Sequence, residues 1–382
     1  MNNIREKVRH RLSAYTKKAI REIKLRSRRM ISSAWTPYSR LCLVGDSASW
    51  VLDWEMRELN LISKKLGVNV IDTSWQVFLE NQSIFYSSQF VLNTIAERKK
   101  NNRIGLAYFH GRPGSGEPEF DRIYQQLCAK HELIDRIQVS HTEMRDIILA
   151  SGIDPHKVFL IPIGINCSFF TPQTSEKKLF FRRKYGIPQT AVVIGSFQKD
   201  GNGWQEGMVP KLIKGPDVFI ETVARIKKNI PELFVLLSGP ARGYVKAGLE
   251  RHAIPYRHVY LNEYPQVAEL YQAIDLYLVT ARQEGGPKAI LESMASGVPL
   301  VTTRVGQAMD LVKHGENGWM VDVEDVNGLA FYSQQVLSDK IDLVPVLKAG
   351  RVTAQANSYE AQTELWRSLM TGFVPTIPED VE

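Results

Sequence analysis

From residue 41 onward, short apolar runs alternate with longer stretches whose apolar positions recur every three or four residues. That alternation predicts β-strands separated by helices around parallel sheets, an α/β fold. Leu41 to Val44 reads as a first strand, Gly45-Asp46-Ser47 as its turn, and Trp50 to Lys65 as a helix ended by Gly67. Further strands are predicted over Val68 to Ile71, Ser83 to Tyr86, Ile104 to Phe109, Arg136 to Val139 and Val158 to Ile161, with helices over Phe90 to Lys100 and Glu143 to Ala150. Residues 162–190 interrupt the period with Pro162, Gly164, Pro172, Gly186 and Pro188 and read as a linker. A second series follows at Ala191 to Gly195, Leu233 to Leu237, His258 to Leu261, Leu276 to Val279 and Leu300 to Thr302, and Tyr359 to Met370 reads as a terminal helix. The expected division is a segment 1–40, a first domain 41–172, a second domain 173–355, and a helix and tail 356–382. Two such sheets leave a cleft between them, with ligands at the carboxyl ends of the strands.

Composition fits this reading: 382 residues, 44% hydrophobic and 23% charged, are enough for two cores. The net charge of +7 is not spread evenly. Residues 1–29 hold eleven Lys and Arg against Glu6 and Glu22, which leaves 37 basic and 39 acidic residues for the rest and argues against nucleic acid as a partner of the folded body. Within 1–29, Ile4, Val8, Leu12, Tyr15, Ala19 and Ile23 form an apolar stripe on a cationic helix. Such a helix suits an anionic membrane surface; a solvated extension or a helix packed on the protein's own body fits the same pattern. No apolar run reaches the length of a membrane span and the N-terminus lacks the apolar stretch of a signal peptide, so the expected location is the cytoplasm, peripheral to the inner face of the membrane if the stripe binds there. Cys42, Cys128 and Cys167 suggest neither a disulfide framework nor a zinc site, and no metal held by the protein is expected.

The segment with the most chemistry runs from Glu284 to Pro299, EGGPKAILESMASGVP. Pro287 suits the first position of a helix, and Gly297 and Pro299 stop it about ten residues later. Gly285 and Gly286 let the backbone approach a ligand, and the helix end with its N–H groups suits a diphosphate. Glu284 and Glu292 each offer two oxygens to a pair of hydroxyls, one on a sugar and one on a ribose. An ordinary βα turn with one surface and one half-buried glutamate has the same spacing. Two lysines favour the first reading: Lys199 ends the turn after Val193-Ile194-Gly195-Ser196-Phe197-Gln198, and Lys214 precedes Gly215-Pro216. Both would lie at the same sheet edge, where two ammonium groups stabilise a leaving diphosphate. Asp200 to Lys211, with Trp204, separates them and reads as a mobile flap.

On these residues the chain resembles the retaining glycosyltransferases of family 4, which have the GT-B fold of two facing Rossmann-like domains. The resemblance covers roughly 41–370. It rests on Glu284 and Glu292, on Gly195 to Lys199 with Lys214-Gly215, on Val139-Ser140-His141 with Gly152, Lys157-Val158, Ile161 to Gly164 and Phe170, and on Gly297 to Val301 with Gly306 and Gly315 to Gly318. It implies that the first domain binds the acceptor and the second the donor. Glu284 would contact the transferred sugar, Glu292 the ribose, Lys199 and Lys214 the phosphates, and the amides of Gly285, Gly286 and Lys288, with Pro287 and Ser196, the donor. Asn262 in Asn262-Glu263-Tyr264 would edge the base pocket, unless it is a surface loop. His110, at the end of a predicted strand, matches the family's histidine near the reacting centre. Gly45, Asp46, Ser47 and Arg112 would lie on the acceptor side. The chain departs from the family at Lys288, where a hydrophobic residue or glycine is usual, and at Gly45 to Ser49, where the family is richer in glycine.

The implied reaction moves a sugar with retention from a nucleotide-sugar donor, UDP- or GDP-linked, to a glycan or lipid-linked acceptor in bacterial-type surface glycan synthesis, with no other cofactor. Rival readings are a nucleotide-sugar epimerase or phosphorylase on the same fold, and a membrane-associated binding protein with a degenerate site. No G-x-G-x-x-G follows a strand, which argues against a dehydrogenase.

Overall fold

The structure, a computed structural model, describes residues 38, 40–45, 51–72, 80–99, 101–203, 205–338 and 340–374. The basic segment 1–29, Asp46, Ser47, Trp50, Lys100, Trp204 and the tail from 375 lie outside the described residues.

Twelve parallel strands among the described residues form two sheets of six. The first contains β1 (Leu41–Val44), β2 (Val70–Asp72), β3 (Ser83–Tyr86), β4 (Arg103–Ala107), β5 (Arg136–Val139) and β6 (Val158–Leu160) in the order β2-β1-β3-β4-β5-β6. The second contains β7 (Val192–Phe197), β8 (Leu233–Ser238), β9 (Tyr256–Val259), β10 (Leu276–Val279), β11 (Leu300–Thr303) and β12 (Trp319–Val321) in the order β12-β11-β10-β7-β8-β9. Strands such as LCLV and LFVLLS are buried on both faces, which is why they read as unbroken apolar runs rather than as alternation. Each sheet has an apolar cluster on either face. In each the strand order reverses once, between β1 and β3 and between β7 and β10, and a doubly wound sheet opens a crevice at that point.

Several expectations need correction. The linker 162–190 contains a helix, Ser175–Tyr185, begun by Thr174, whose side chain accepts from Lys177 N–H, and ended by Gly186 at φ 67°. Arg182 on this helix is buried and bonds the carbonyls of Ala191 and Ala273 and the carboxylate of Asp275 (2.6 Å), so the segment is packed on the second sheet. The helix expected over Phe90 to Lys100 is a 3-10 turn, Gln89–Asn93, followed by Ile95–Lys99. β12 and the helices Pro118–Lys130 and Leu343–Ala356 were not anticipated. The helix Thr363–Met370 crosses back to the first sheet: Trp366, Leu369 and Met370 join its core, and Phe373 accepts from Ser83 Oγ (2.6 Å) and Arg103 (3.0 Å).

The segment expected to be a flap is pinned. Lys211 N–H donates to Asp200 O, Asn202 N–H to Val209 O, and Gly243 and Tyr244 N–H to Glu206 and Gly207 O. A Cβ on Gly201 or Gly207 would collide with the Ala241 backbone, so glycine is what permits this close seating. Fully buried Arg242 holds the same region: it pairs with Asp200 (3.0 Å) and donates to the carbonyls of Ser196, Gln198 and Ser238.

Candidate active site

At the switch point of the second sheet lies a cavity of about 390 Å³, walled by the ends of β7, β8 and β10 and by the turn at Gly286 to Ala289. Among its lining residues are Lys199, Lys211 and Lys214, which follow β7, and Glu284 and Glu292, which follow β10; the two groups meet because three crossover connections return the chain to the same sheet edge.

One part of the cavity is cationic. Lys214 Nζ lies 2.5 Å from Glu284 Oε1, a half-buried pair. Burial lowers the pKa of Lys199, and burial together with repulsion from Lys214 and Lys199 lowers that of Lys211. An anion placed among these ammonium groups would relieve that repulsion. Lys211 was missed by the sequence reading; it ends the pinned segment and carries no pattern of its own.

Glu292 is buried. Its Oε2 accepts from Tyr271 OH at 2.9 Å and its Oε1 from Tyr264 OH, and burial raises its pKa despite both bonds. The pair of acceptor oxygens expected for a ribose is present but is held by tyrosines. Beside it Phe197, Leu261, Tyr264, Val267 and Tyr277 make a mostly apolar slot next to Ser238 and Gly239, and Asn262 and Glu263 also line the cavity. The Asn262 N–H donates to Gln266 within its own loop.

The glycine turn differs from expectation. The helix begins at Ala289 rather than at Pro287 and runs only to Ala295; Gly297, at φ 64°, closes it. What approaches Gly285 and Gly286 closely is the first domain. A Cβ on Gly285 would strike the Phe109 carbonyl, and one on Gly286 the Ile163 side chain. The Gly285 carbonyl accepts from Ser140 Oγ (2.9 Å) and Gln307 N–H (3.2 Å), while Gln307 Oε1 accepts from Ile163 N–H (3.0 Å). Gly286, Pro287 and Lys288 line the cavity, and Gly285 faces the other domain. The Lys288 ammonium also leaves the cavity, for Glu55 and Tyr359.

Ser196, Arg112 and Gly45 do not line this cavity. Ser196 is buried behind the wall and accepts from Arg242 (3.0 Å) rather than facing the cavity, because the strand's alternation turns it toward the sheet interior. Arg112 pairs with Glu143 (3.2 Å) on the surface. Gly45 follows β1, where a Cβ would come within 2.8 Å of the Asp53 carboxylate. His110 is half-buried after β4, its ring edge-on to Phe120; burial, with Lys214, Lys211 and His141 nearby, lowers its pKa to about 3. A second histidine was missed as a site residue: His141, its pKa lowered by burial to about 4, bonds the Gly285 carbonyl, and its Nδ1 lies 3.0 Å from Ser140 Oγ. Both imidazoles are neutral at pH 7. Among the described residues no cluster of three or more His, Cys, Asp or Glu is placed to hold a metal.

Residues 208–352 match the sequence model of the family described as glycosyl transferases group 1. Among curated proteins, the chain is similar to a D-inositol 3-phosphate glycosyltransferase of Corynebacterium urealyticum, 29% identical over 69% of this chain and 62% of that one. It is also similar to the N-acetyl-alpha-D-glucosaminyl L-malate synthase of Bacillus anthracis, 26% identical over 57% of this chain and 64% of that one. The chain therefore spans less than two thirds of either relative. Among solved structures, Anabaena HepE in complex with UDP and glucose superposes with a TM-score of 0.70 at 15% identity, over 87% of this chain and 99% of that one. A sucrose-phosphate synthase of Thermosynechococcus elongatus gives 0.66 at 17% identity, over 87% and 100%. The fold is that of GT-B glycosyltransferases, with two Rossmann-like domains.

Proposed function

We propose that the protein is a retaining glycosyltransferase that uses a nucleotide-sugar donor. The observation that carries the reading is the convergence, in one cavity, of a lysine cluster, Glu284, buried Glu292 and an apolar slot. In this reading the base enters the slot, the ribose hydroxyls take the Glu292 oxygens in place of Tyr264, the diphosphate meets Lys199, Lys211 and Lys214, and Glu284 orients the sugar. The bond from the anomeric carbon to the phosphate oxygen breaks and its electron pair stays on that oxygen, where the ammonium groups stabilise it. The acceptor oxygen bonds to the same face of the carbon, and its proton passes to the departing phosphate. His110, neutral, accepts a hydrogen bond from a sugar hydroxyl at the cleft.

UDP is the first nucleotide to test, because HepE is described as in complex with UDP and glucose. The basic residues of 1–29 support an acceptor presented at an anionic membrane surface, a glycan or lipid-linked hydroxyl made in the cytoplasm. The test is a thermal-shift screen with UDP, GDP and ADP and their sugars, followed by turnover of Glu284→Ala with the donor that binds. Stabilisation by one nucleotide and loss of turnover are expected; near-normal turnover in the variant would remove the assignment.

A further inference from the structure

Lys288 follows Pro287 in the turn that lines the cavity, yet its ammonium is bound by groups attached to the first sheet. It contacts Glu55 Oε1 on the helix Val51–Lys65, the Tyr359 hydroxyl, and the Gly164 carbonyl at 3.3 Å. These can take all three of its N–H donors. Tyr359 itself donates to Glu55 Oε1 at 2.5 Å and belongs to the apolar cluster of the first sheet. Both charged side chains are buried, 6% and 9% exposed.

A buried pair of this kind stabilises a fold no better than well-packed apolar residues of the same size; what it adds is direction, since only one placement satisfies every donor. The cluster also touches the donor cavity. The ammonium lies 5.2 Å from the Tyr264 ring, Tyr264 donates to Glu292, and the Tyr264 ring packs at 5.3 Å from Trp54, which shares a helix with Glu55. One buried group of side chains thus spans the wall of the cavity and the first domain.

We propose that Lys288 is a positioning residue: by docking into the first domain it sets the register between the donor-binding turn and the acceptor side, so that sugar and acceptor meet at one fixed distance. The inference rests on the glycosyltransferase reading above, and a misregister of about 1 Å is enough to lower a transfer rate on the order of a hundredfold.

The test compares the full-length wild type with Lys288→Met and with the double variant Glu55→Gln/Lys288→Met, using the nucleotide and nucleotide sugar that gave the largest thermal shift. The single variant leaves Glu55 buried without its cation and is expected to melt lower, whereas the double variant removes both charges and is expected to regain most of that loss. Positioning predicts that the double variant binds the nucleoside diphosphate within about threefold of wild type while its kcat stays at least about tenfold lower. Recovery of kcat together with stability would reduce the pair to a structural role and overturn the proposal. Loss of nucleotide affinity in step with turnover would make Lys288 a donor ligand and overturn it equally. If the double variant does not fold, Tyr359→Phe keeps the ion pair and removes one acceptor; a fall in kcat of about threefold or more at unchanged affinity supports the proposal, and an unchanged kcat overturns it. A wild type that binds no nucleotide fails at the earlier step and removes the glycosyltransferase reading as well, so the two failures are distinguishable.

Discussion

Gly285→Ala should be strongly disruptive, because the added methyl group meets backbone of the first domain. The Gly285 Cα lies against the Phe109 carbonyl of the first domain, and the new Cβ would overlap that carbonyl oxygen and carbon as well as approach the Phe109 Cβ at 2.9 Å. Backbone atoms cannot rotate away, so the turn and the first domain must separate by about 1 Å to restore an ordinary contact in a close-packed interface. Overpacking of this kind costs about 1–3 kcal/mol of stability. A displacement of about 1 Å between donor and acceptor sides costs on the order of a hundredfold in rate, or about 2.7 kcal/mol of barrier. The assay is release of nucleoside diphosphate from the donor sugar, corrected for the folded fraction by thermal melting. Gly350→Ala is the control: it lies inside the helix Leu343–Ala356, where a Cβ meets nothing nearer than 3.4 Å, and should keep full turnover. A folded Gly285→Ala protein with turnover within about threefold of wild type would refute the reasoning, because the contact would then be too soft to set geometry.

Lys214→Ala removes both the partner of Glu284 and a cation of the cavity, and turnover should fall by about 10²- to 10³-fold, read from the same assay; near-normal activity contradicts the role given to the lysine cluster. Tyr264→Phe frees one oxygen of Glu292, so a nucleotide that needs that oxygen should bind about three- to tenfold more tightly by calorimetric titration. Weaker binding would mean that the Tyr264 hydroxyl keeps its place in the complex. His141 folds neutral, its pKa lowered from 6.5 to about 4 mainly by burial, so its contribution to stability is fully present above pH 6.5 and is lost as the pH falls toward 4. The unfolded chain takes up the proton first in that window, at a cost of about 1.4 kcal/mol per pH unit. Urea midpoints for wild type and His141→Gln should therefore converge between pH 6.5 and 4, and parallel profiles would contradict the buried neutral imidazole.

Strands such as Leu233–Ser238 were legible because burial on both faces leaves an unbroken apolar run in the sequence. The helix Ser175–Tyr185 was not, although Thr174 and Gly186 are its cap residues: the prolines on either side dominated the local pattern, and its apolar face is narrow. The glycines at 285 and 286 announced a close approach but not its partner, since Phe109 and Ile163 come from another domain. Glu284, Glu292, Lys199 and Lys214 do share one cavity, as the repeated return of the chain to one sheet edge implies. Lys211 and His141 were named but not singled out as site residues, because their neighbours in sequence say nothing about burial or charge; only the tertiary contacts supply those. The direction of the Lys288 side chain is of the same kind, fixed by Glu55 and Tyr359 from opposite ends of the chain.

The central claim is that the cavity at the end of β7 and β10 binds the diphosphate of a nucleotide sugar. Calorimetric titration of the wild type and of Lys214→Ala with UDP, GDP and ADP tests it most directly. The account predicts saturable binding of one of these to a single site, weakened at least about tenfold by the substitution, as expected for loss of a charge-assisted contact. No binding of any of the three, or binding that Lys214→Ala leaves unchanged, would contradict it.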